Sequence, residues 1–521
     1  MGNIKTFKFI DKYSNGIVVN FDNRNKKTVT ISLFLDNENI KTISTNNDHY
    51  LFKVDKSGNY HVTISFIDSN KNIHHLIDSP ASYYFAQQKT KQNIKKESKS
   101  KTINHKIDGI NKYFLEIKSE IKSSHLIMDI LPNELMNSKL ILIKSNIESS
   151  VKQYEYLNLY GEDNFDRLLE LSQKIEQLDY VSYCCICPDT TGYLPPKLPL
   201  NSQVLEEDTS SNEITPNFTY LQKYLDAPMG MNVRNAWEKN IDGSQAVVRH
   251  LDFGVYKNHE DLKNSNLIVV NSRPETQDCN HGTASTGCII ATKNAFGVTG
   301  IAHNCQFYFY DTDDLDQLTN DAQPGDIVSL DIQFSFGEKL LPATAVRNWW
   351  ERIKIMVDKG ATVILAAGNG GLDLSEPGVM TDFGDNGSML VGACNNQTGS
   401  RAYFSNYNQK SSLINSWGDW SVTTTGYGSL QKYPGNERNY TKDYSGTSSA
   451  TPLCAGALAL LQGYAKQHQI ILSAWGMREL IKKSTYTEGV NDGIGYRPNV
   501  NDLLKEIDKL AQITEHHHHH H

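Results

Sequence analysis

Four short segments of the chain carry side chains that could perform acyl transfer. Asp252 ends an apolar stretch, and His281 precedes a Gly-Thr pair at a predicted helix start. Asn369 lies in a Gly-Asn-Gly turn, and Ser448 lies in Gly-Thr-Ser-Ser before an apolar helix. A serine hydroxyl needs a base to remove its proton, an imidazole titrates near neutrality, and a carboxylate can fix that imidazole's tautomer. Together the four residues predict an orienting acid, a base, an oxyanion donor and a nucleophile.

Each of these residues, taken alone, has a simpler structural explanation. An aspartate can close a strand, a serine can cap a helix, and Asn-Gly pairs are common in turns for backbone reasons. Ser449 stands beside Ser448, and the residue types do not choose between the two. The argument therefore rests on the ordered set. Its chain order of Asp, His and Ser differs from that of the α/β-hydrolases and of chymotrypsin-like enzymes, and it is the subtilisin order.

Apolar stretches that alternate with helical stretches predict one α/β domain over residues 217–514. Several predicted strands are apolar on both faces, as a mostly parallel sheet covered by helices requires. Functional residues of such sheets gather at the carboxyl ends of the strands, where Asp252 and Asn369 fall. The predicted strands lie near 246–251, 267–270, 306–310, 327–330, 362–367 and 389–393, and the helices near 281–292, 343–359, 449–465 and 473–484.

The first 216 residues differ from the rest of the chain in their pattern of apolar and polar residues, and they predict two further folded units. Alternating apolar residues separated by Asn, Asp and Gly predict a small β-sandwich accessory domain over 1–85. Two strand candidates, a helix with Asn164 as its cap and a last strand predict a small α+β unit over 107–190. The remaining segments are a Lys-rich linker at 86–106, a loose connection rich in Pro, Ser and Glu at 191–216, and a histidine tag at 515–521.

Composition excludes several classes of function. The net charge of -8 over 521 residues gives no electrostatic case for nucleic acid or for an anionic membrane surface. The sequence has no run of about 18 apolar residues that could span a membrane. Its eight cysteines are scattered apart from Cys184, Cys185 and Cys187, so they lack the paired spacing of a zinc site and fix no disulfide pairing.

The four segments resemble the signature motifs of the subtilisin-like (subtilase) serine endopeptidases. The residues that carry the resemblance are Asp252-Phe-Gly, His281-Gly-Thr, Gly368-Asn-Gly and Gly446-Thr-Ser-Ser-Ala-Thr-Pro. The resemblance covers about 217–510 and implies that Ser448, rather than Ser449, is the nucleophile, with His281 as base, Asp252 as orienting acid and Asn369 as oxyanion donor. It implies hydrolysis of peptide bonds through an acyl-enzyme intermediate.

The resemblance also implies a substrate cleft. Ser329-Leu330-Asp331 resembles the edge strand that pairs with the substrate backbone, and Ala366-Ala367-Gly368 resembles the facing wall. Protein or peptide substrates are the implied partners. No cofactor is required and no metal ligand is assigned, although many members bind structural calcium.

The unit at 107–190 is similar to the ferredoxin-like propeptide of many subtilases. That similarity implies an autoprocessed zymogen in which the chain's own propeptide is an intramolecular partner, with cleavage inside 191–216. It also implies a secreted or periplasmic bacterial protein, although no signal peptide is visible at the start of this sequence.

Departures from the family pattern leave substrate preference open. Phe253 follows the aspartate where a small polar residue is usual, Ala284 replaces a common second histidine, and His303 stands where proline is usual. Two alternatives remain at this point. The domain could be a catalytically silent binding protein, or the N-terminal β-domain could be the functional end with the protease as a maturation device.

Overall fold

The computed structural model describes seven stretches of the chain, namely residues 3–87, 105–130, 140–148, 153–199, 204–209, 213–411 and 413–519. Most of the predicted 86–106 linker and parts of the 191–216 connection lie outside these stretches. Within them, no helix is both long and apolar enough to cross a membrane.

The N-terminal region folds into two sheets that share an apolar core. The core includes Ile17, Val19, Ile31, Val62 and Ile64, all fully buried. They project inward because alternate residues of a strand face the same side. The β-rich character predicted for 1–85 is therefore present. The strands are β1 (Lys5–Ile10), β2 (Asn15–Asn20), β3 (Val29–Leu35), β4 (Glu38–Thr45), β5 (His49–Val54), β6 (Gly58–Ile67), β7 (Ile73–Ile77) and β8 (Ala81–Tyr83).

The next region forms a four-stranded antiparallel sheet with helices between its strands. Asn164 caps the longer helix, because its Oδ1 accepts a hydrogen bond from the Arg167 N–H at 3.1 Å. The sheet order is β10-β11-β9-β12. The elements are β9 (Tyr113–Glu120), α1 (Ser124–Ile130), β10 (Ile141–Lys144), β11 (Tyr154–Tyr160), α2 (Phe165–Glu176) and β12 (Val181–Pro188). The sequence did not predict α1 or β11.

A seven-stranded parallel sheet forms the centre of the C-terminal region, as predicted. Its order is β14-β15-β13-β16-β19-β20-β21, and the last of these strands was not predicted. The strands of the region are β13 (Val247–Asp252), β14 (Leu267–Val269), β15 (Gln306–Asp311), β16 (Ile327–Leu330), β17 (Phe334–Phe336), β18 (Lys339–Leu341), β19 (Thr362–Ala366), β20 (Met389–Cys394), β21 (Leu413–Trp417), β22 (Val422–Thr425), β23 (Tyr440–Tyr444) and β24 (Ile470–Leu472).

Helices cover the parallel sheet, and the longest of them is almost entirely buried. A helix that is apolar on all sides belongs in the interior of a large domain. The helices are α3 (Arg234–Glu238), α4 (Asn280–Ile290), α5 (Leu315–Asp321), α6 (Arg347–Asp358), α7 (Thr447–Gln467), α8 (Ala474–Ile481) and α9 (Val500–His519), with 3₁₀ turns at Thr219–Leu221, Lys223–Leu225 and Ala343–Ala345.

The N-terminal sandwich is joined to the C-terminal region by main-chain pairing. β1 runs parallel to β24, and the backbone N–H of Ser473 donates to the carbonyl of Ile10 at 2.9 Å. This pairing lies near Gly325 and Gly360, which precede β16 and β19. The sandwich therefore covers the amino ends of the parallel strands, at the edge opposite the carboxyl ends.

A buried group of charges joins the sheet of β9–β12 to helix α6. We call Glu116, Lys118, Glu351 and Arg352 the docking cluster. Arg352 donates to both carboxylate oxygens of Glu116, with 2.5 Å from Nη1 to Oε1, and Lys118 Nζ lies 2.8 Å from Glu351 Oε1. Tyr156 also donates to Glu351 at 2.6 Å. Both carboxylates thus have a cationic partner across the contact.

Candidate active site

Ser448, His281 and Asp252 form an unbroken chain of hydrogen-bonding atoms. Ser448 Oγ lies 2.8 Å from His281 Nε2, and His281 Nδ1 lies 2.6 Å from Asp252 Oδ1. The three residues are 4%, 1% and 0% exposed, so water competes little for these contacts. The neutral imidazole that donates from Nδ1 to the carboxylate leaves Nε2 free to accept the serine proton. The arrangement can therefore move a proton from Ser448 to His281.

Three different elements bring these residues together. Asp252 is the last residue of β13, His281 is the second residue of α4, and Ser448 is the second residue of α7. The approach of α4 depends on Gly282, because a Cβ there would lie 1.8 Å from the carbonyl oxygen of Gly254. The entry to α7 depends on Gly446, whose φ of 85° favours glycine. The small residues of both motifs thus permit close packing at the site.

The side chain of Asn369 faces the start of α7 with a free donor. Its Oδ1 accepts hydrogen bonds from the Thr447 N–H and hydroxyl, both at 2.9 Å. Its Nδ2 is buried and has no hydrogen-bond partner among the described residues. A buried donor without a partner is costly, so this amide is available to donate to an atom that enters the site beside Ser448. The amide is thus fixed on one side and open on the other.

Asp252 receives more hydrogen bonds than the sequence indicated. Its Oδ1 also accepts the backbone N–H of Phe253 at 2.7 Å, and its Oδ2 lies 2.8 Å from His250 Nε2. Burial by itself would raise the pKa of Asp252. The charge of His281 and the hydrogen bonds from His250 and His281 outweigh burial and hold this pKa below the ordinary value for aspartate. Asp252 therefore stays ionised at neutral pH.

The residues expected to line the substrate cleft have a different arrangement from the one predicted. β16 pairs with β13 on one side and with β19 on the other, so Ser329 and Leu330 lie in a central strand and not at an edge. The Asp331 side chain is fully buried and accepts from Ser285 at 2.5 Å, so it does not face a cleft. The edge interpretation is therefore wrong for Ser329 and Leu330, because a strand with a neighbour on each side is not an edge strand. Asp331 lies past the end of β16, where its N–H donates to the carbonyl of Leu251 at 3.0 Å, and its role towards a substrate stays a prediction.

The wall predicted from Ala366, Ala367 and Gly368 lies at the carboxyl end of β19, next to Asn369. The Ala367 N–H donates to Val391 and the Gly368 N–H lies 3.3 Å from the Thr447 hydroxyl, so these two amides have partners inside the chain. Their role towards a substrate stays a prediction.

Sequence reasoning missed three polar neighbours of the site, namely His250, Ser285 and Tyr444. The alternation of a strand contained the signal for His250, since it lies two residues before Asp252 and shares its face. Ser285 lies one helical turn after His281, and its hydroxyl is 2.7 Å from the hydroxyl of Tyr444. Tyr444 belongs to β23, and its proximity could not be read from spacing.

One group of potential metal ligands occurs in the described residues. It consists of His250, Asp252 and Asp331, with ligand atoms within 4.8 Å of one another. Calcium takes six to eight oxygen ligands, and this buried group supplies two carboxylates and an imidazole. These donors do not fit calcium.

Comparison with known proteins agrees with the geometry. Residues 243–497 match the model of the Subtilase family. An alkaline protease from Alkalihalobacillus alcalophilus is 25% identical over 352 residues, which cover 62% of this chain and 85% of that protein. Subtilisin E from Bacillus subtilis is 25% identical over 305 residues, which cover 57% of this chain and 74% of the relative. The family match and these relatives identify residues 243–497 as a subtilisin-like serine endopeptidase domain.

Solved structures of serine proteases are also similar to the chain. One is an epidermin leader peptide processing serine protease from Staphylococcus aureus, 17% identical, with a TM-score of 0.47 over 75% of this chain and 98% of that chain.

Proposed function

We propose that this protease hydrolyses peptide bonds with Ser448 as nucleophile, His281 as general base and Asp252 as the group that orients the base. Ser448 Oγ attacks the carbonyl carbon while its proton passes to His281 Nε2. The imidazolium then protonates the leaving amine, and an acyl-enzyme remains. Water repeats the same steps and frees Ser448. The observation that carries the proposal is the hydrogen-bonded chain at 2.8 and 2.6 Å.

The oxyanion of each tetrahedral intermediate would be stabilised by Asn369. Its unpartnered Nδ2 is held by the bonds that Oδ1 accepts from Thr447, so it needs no rearrangement to donate. The α7 terminus adds the positive end of a helix dipole next to Ser448. The mechanism requires no cofactor, and calcium has no assigned ligands in it.

We further propose that residues 107–190 are a ferredoxin-like propeptide unit and that the chain is a zymogen. The unit has the β-α-β-β-α-β order and the sheet order that this fold requires. Beyond it, Tyr193 packs its ring 5.4 Å from that of Phe253, which itself lies 5.3 Å from the ring of His281. The Tyr193 hydroxyl also donates to the carbonyl of Gln333, just past β16. The chain's own connection thus lies over the approach to the base.

Cleavage within 191–216 would release this connection. Residues 200–203 and 210–212 of that segment lie outside the described residues. Protein or peptide substrates and the chain's own propeptide are the proposed partners, and secretion to the periplasm or the exterior is proposed from the family resemblance.

A fluorophosphonate probe tests the proposed nucleophile. The wild-type protein should be labelled covalently, and Ser448→Ala should not be. Ser449→Ala is the matched control, because the Ser449 hydroxyl donates to the Trp417 carbonyl at 3.0 Å and points away from His281. It should keep its labelling. A wild-type protein that is not labelled would support the silent binding protein instead.

N-terminal sequencing tests the zymogen. The wild type should yield a new terminus within 191–216 that Ser448→Ala lacks. Identical termini in both proteins would contradict autoprocessing.

A further inference from the structure

Two side chains outside the proposed triad converge on Asp252. The first is His250, which is fully buried on β13. Its Nε2 lies 2.8 Å from Asp252 Oδ2, and its Nδ1 is hydrogen-bonded to the hydroxyl of Ser329, its partner on β16. One neutral tautomer satisfies both contacts, because Nε2–H donates to the carboxylate while Nδ1 accepts from Ser329. His250 can therefore hold Asp252 without adding a charge.

The second side chain is Asp331, which immediately follows β16. Its Oδ2 accepts from Ser285, whereas its Oδ1 is buried with no hydrogen-bond partner among the described residues. One of its oxygens lies within 4.8 Å of the ligand atoms of Asp252 and His250. Two carboxylates this close in a buried site cannot both be ionised. Asp252 has N–H donors on both oxygens, so Asp331 is the one that must carry the proton.

The groups that face Asp331 support the same assignment. Asp252 and His250 approach it from β13, Ser285 and Cys288 from α4, Tyr444 from β23 and Tyr427 from the loop after β22. Burial raises the pKa of Asp331 well above its ordinary value, and the charge of Asp252 raises it further. Burial also raises the pKa of Cys288 to about 12 and that of both tyrosines, so these three groups are neutral near pH 7.

We propose that Asp331 is a neutral carboxylic acid that donates its proton to Asp252, and that Asp331 and His250 together are positioning residues of the triad. The two donors hold the carboxylate so that Oδ1 faces His281. They also take part of the charge of Asp252, so the carboxylate stabilises the imidazolium form of His281 less strongly. The inference rests on the proposed triad.

The apparent pKa on the acid side of the pH–rate profile tests this arrangement. Loss of a donor should return charge to Asp252 and move that pKa upward. Asp331→Ala and His250→Leu should each raise it by about half a unit or more. Asp331→Asn and His250→Gln keep an N–H donor, so in each of these variants the apparent acid-side pKa should lie close to the wild-type value. If Asp331 were ionised, the apparent acid-side pKa should move downward instead, because Asp331→Ala and Asp331→Asn would each remove a negative charge.

The pH–rate profile should be measured as the rate of fluorophosphonate labelling. Each rate is divided by the fraction of protein that the probe can label at completion. A role limited to folding would reduce the labelled fraction and leave the acid-side pKa in place. An unchanged or lowered acid-side pKa in either Asp331→Ala or His250→Leu would overturn the proposal.

Infrared spectroscopy provides a measurement that does not depend on activity. Burial raises the pKa of Asp261 to about 7, so the spectra should be compared near pH 9, where Asp261 is ionised. There the wild type should show the carbonyl band of a protonated carboxylic acid, and Asp331→Asn should lack it. Absence of the band in wild type would overturn the proposal even if a variant fails to fold. Failure of the triad itself is distinguishable, because Ser448→Ala would then still be labelled.

Discussion

The molecule contains two buried clusters of charged and titratable residues that are built differently. The docking cluster pairs each carboxylate with a cation from the opposite unit, as between Glu116 and Arg352. The site around Asp252 contains two carboxyl groups and two imidazoles, with no Lys or Arg ion pair to Asp252 among the described residues. It also leaves Asn369 Nδ2 without a hydrogen-bond partner in the part of the chain that the structure describes. In the docking cluster, each charge has a partner of opposite sign, and these pairs hold one unit against the other. In the site around Asp252, a polar group that lacks a partner is available for chemistry.

The largest expected effect is the loss of one charge from the docking cluster. Arg352→Ala leaves the fully buried Glu116 carboxylate without its cation and should lower the free energy of unfolding by about 3–5 kcal/mol. Urea unfolding in a Ser448→Ala background measures this without self-digestion. Lys354→Ala, which breaks a part-exposed pair with Asp358 on the same helix, should cost at most about 0.5 kcal/mol. Equal costs would mean that burial of the cluster has no energetic role.

The next effect is the loss of the unpartnered donor. Asn369→Ala should lower kcat by about 10²–10³-fold with little change in KM, because the donor acts mainly on the tetrahedral intermediate. Steady-state kinetics measures this loss, with the enzyme concentration corrected for the fraction of protein that the fluorophosphonate probe labels. Asn271→Ala, which removes an exposed asparagine bonded to Asp314, is the control and should retain full activity. A change confined to KM would place Asn369 in ground-state binding instead.

The two clusters should also respond to acid at different pH. Activity should fall below about pH 6–7, since protonation of an imidazole base removes its function. Docking should persist to lower pH. Burial opposes ionisation of Glu351, but Lys118 and Arg347 lower its pKa below the ordinary 4.5. A depressed pKa contributes stability above the unfolded value that is lost as pH falls through the folded value. Activity and unfolding should be measured in parallel between pH 3 and 8. A single transition shared by both would contradict this prediction.

The smallest expected effect comes from replacing a whole ion pair. Glu116→Leu combined with Arg352→Met removes both charges together, so no buried ion is left unpaired, since Asp316, the other partner of Arg352, is half exposed. The double variant should unfold within about 1–2 kcal/mol of wild type. A loss as large as that of Arg352→Ala alone would show that the pair contributes net attraction rather than geometry.

Much of the fold could be predicted because its signals are local. The apolar strand segments at 246–251 and 362–367 correspond to β13 and β19, and Asn164 caps α2 as expected. Elements with weak periodicity, such as β11 and β21, were missed because tertiary partners rather than sequence pattern define them. The pairing of β1 with β24 joins residues more than 450 positions apart, and no local pattern encodes it.

The sequence by itself determined the chemical groups and their local settings: an aspartate at a strand end, a histidine and a serine at helix starts, and an asparagine in a glycine turn. Only the tertiary structure decided which of their neighbours matter. It placed β16 in the middle of the sheet, which removed Ser329 and Leu330 from the predicted cleft edge and turned Asp331 towards Asp252. Spacing along a chain fixes local geometry, but strand order and the facing of buried side chains depend on packing between distant segments.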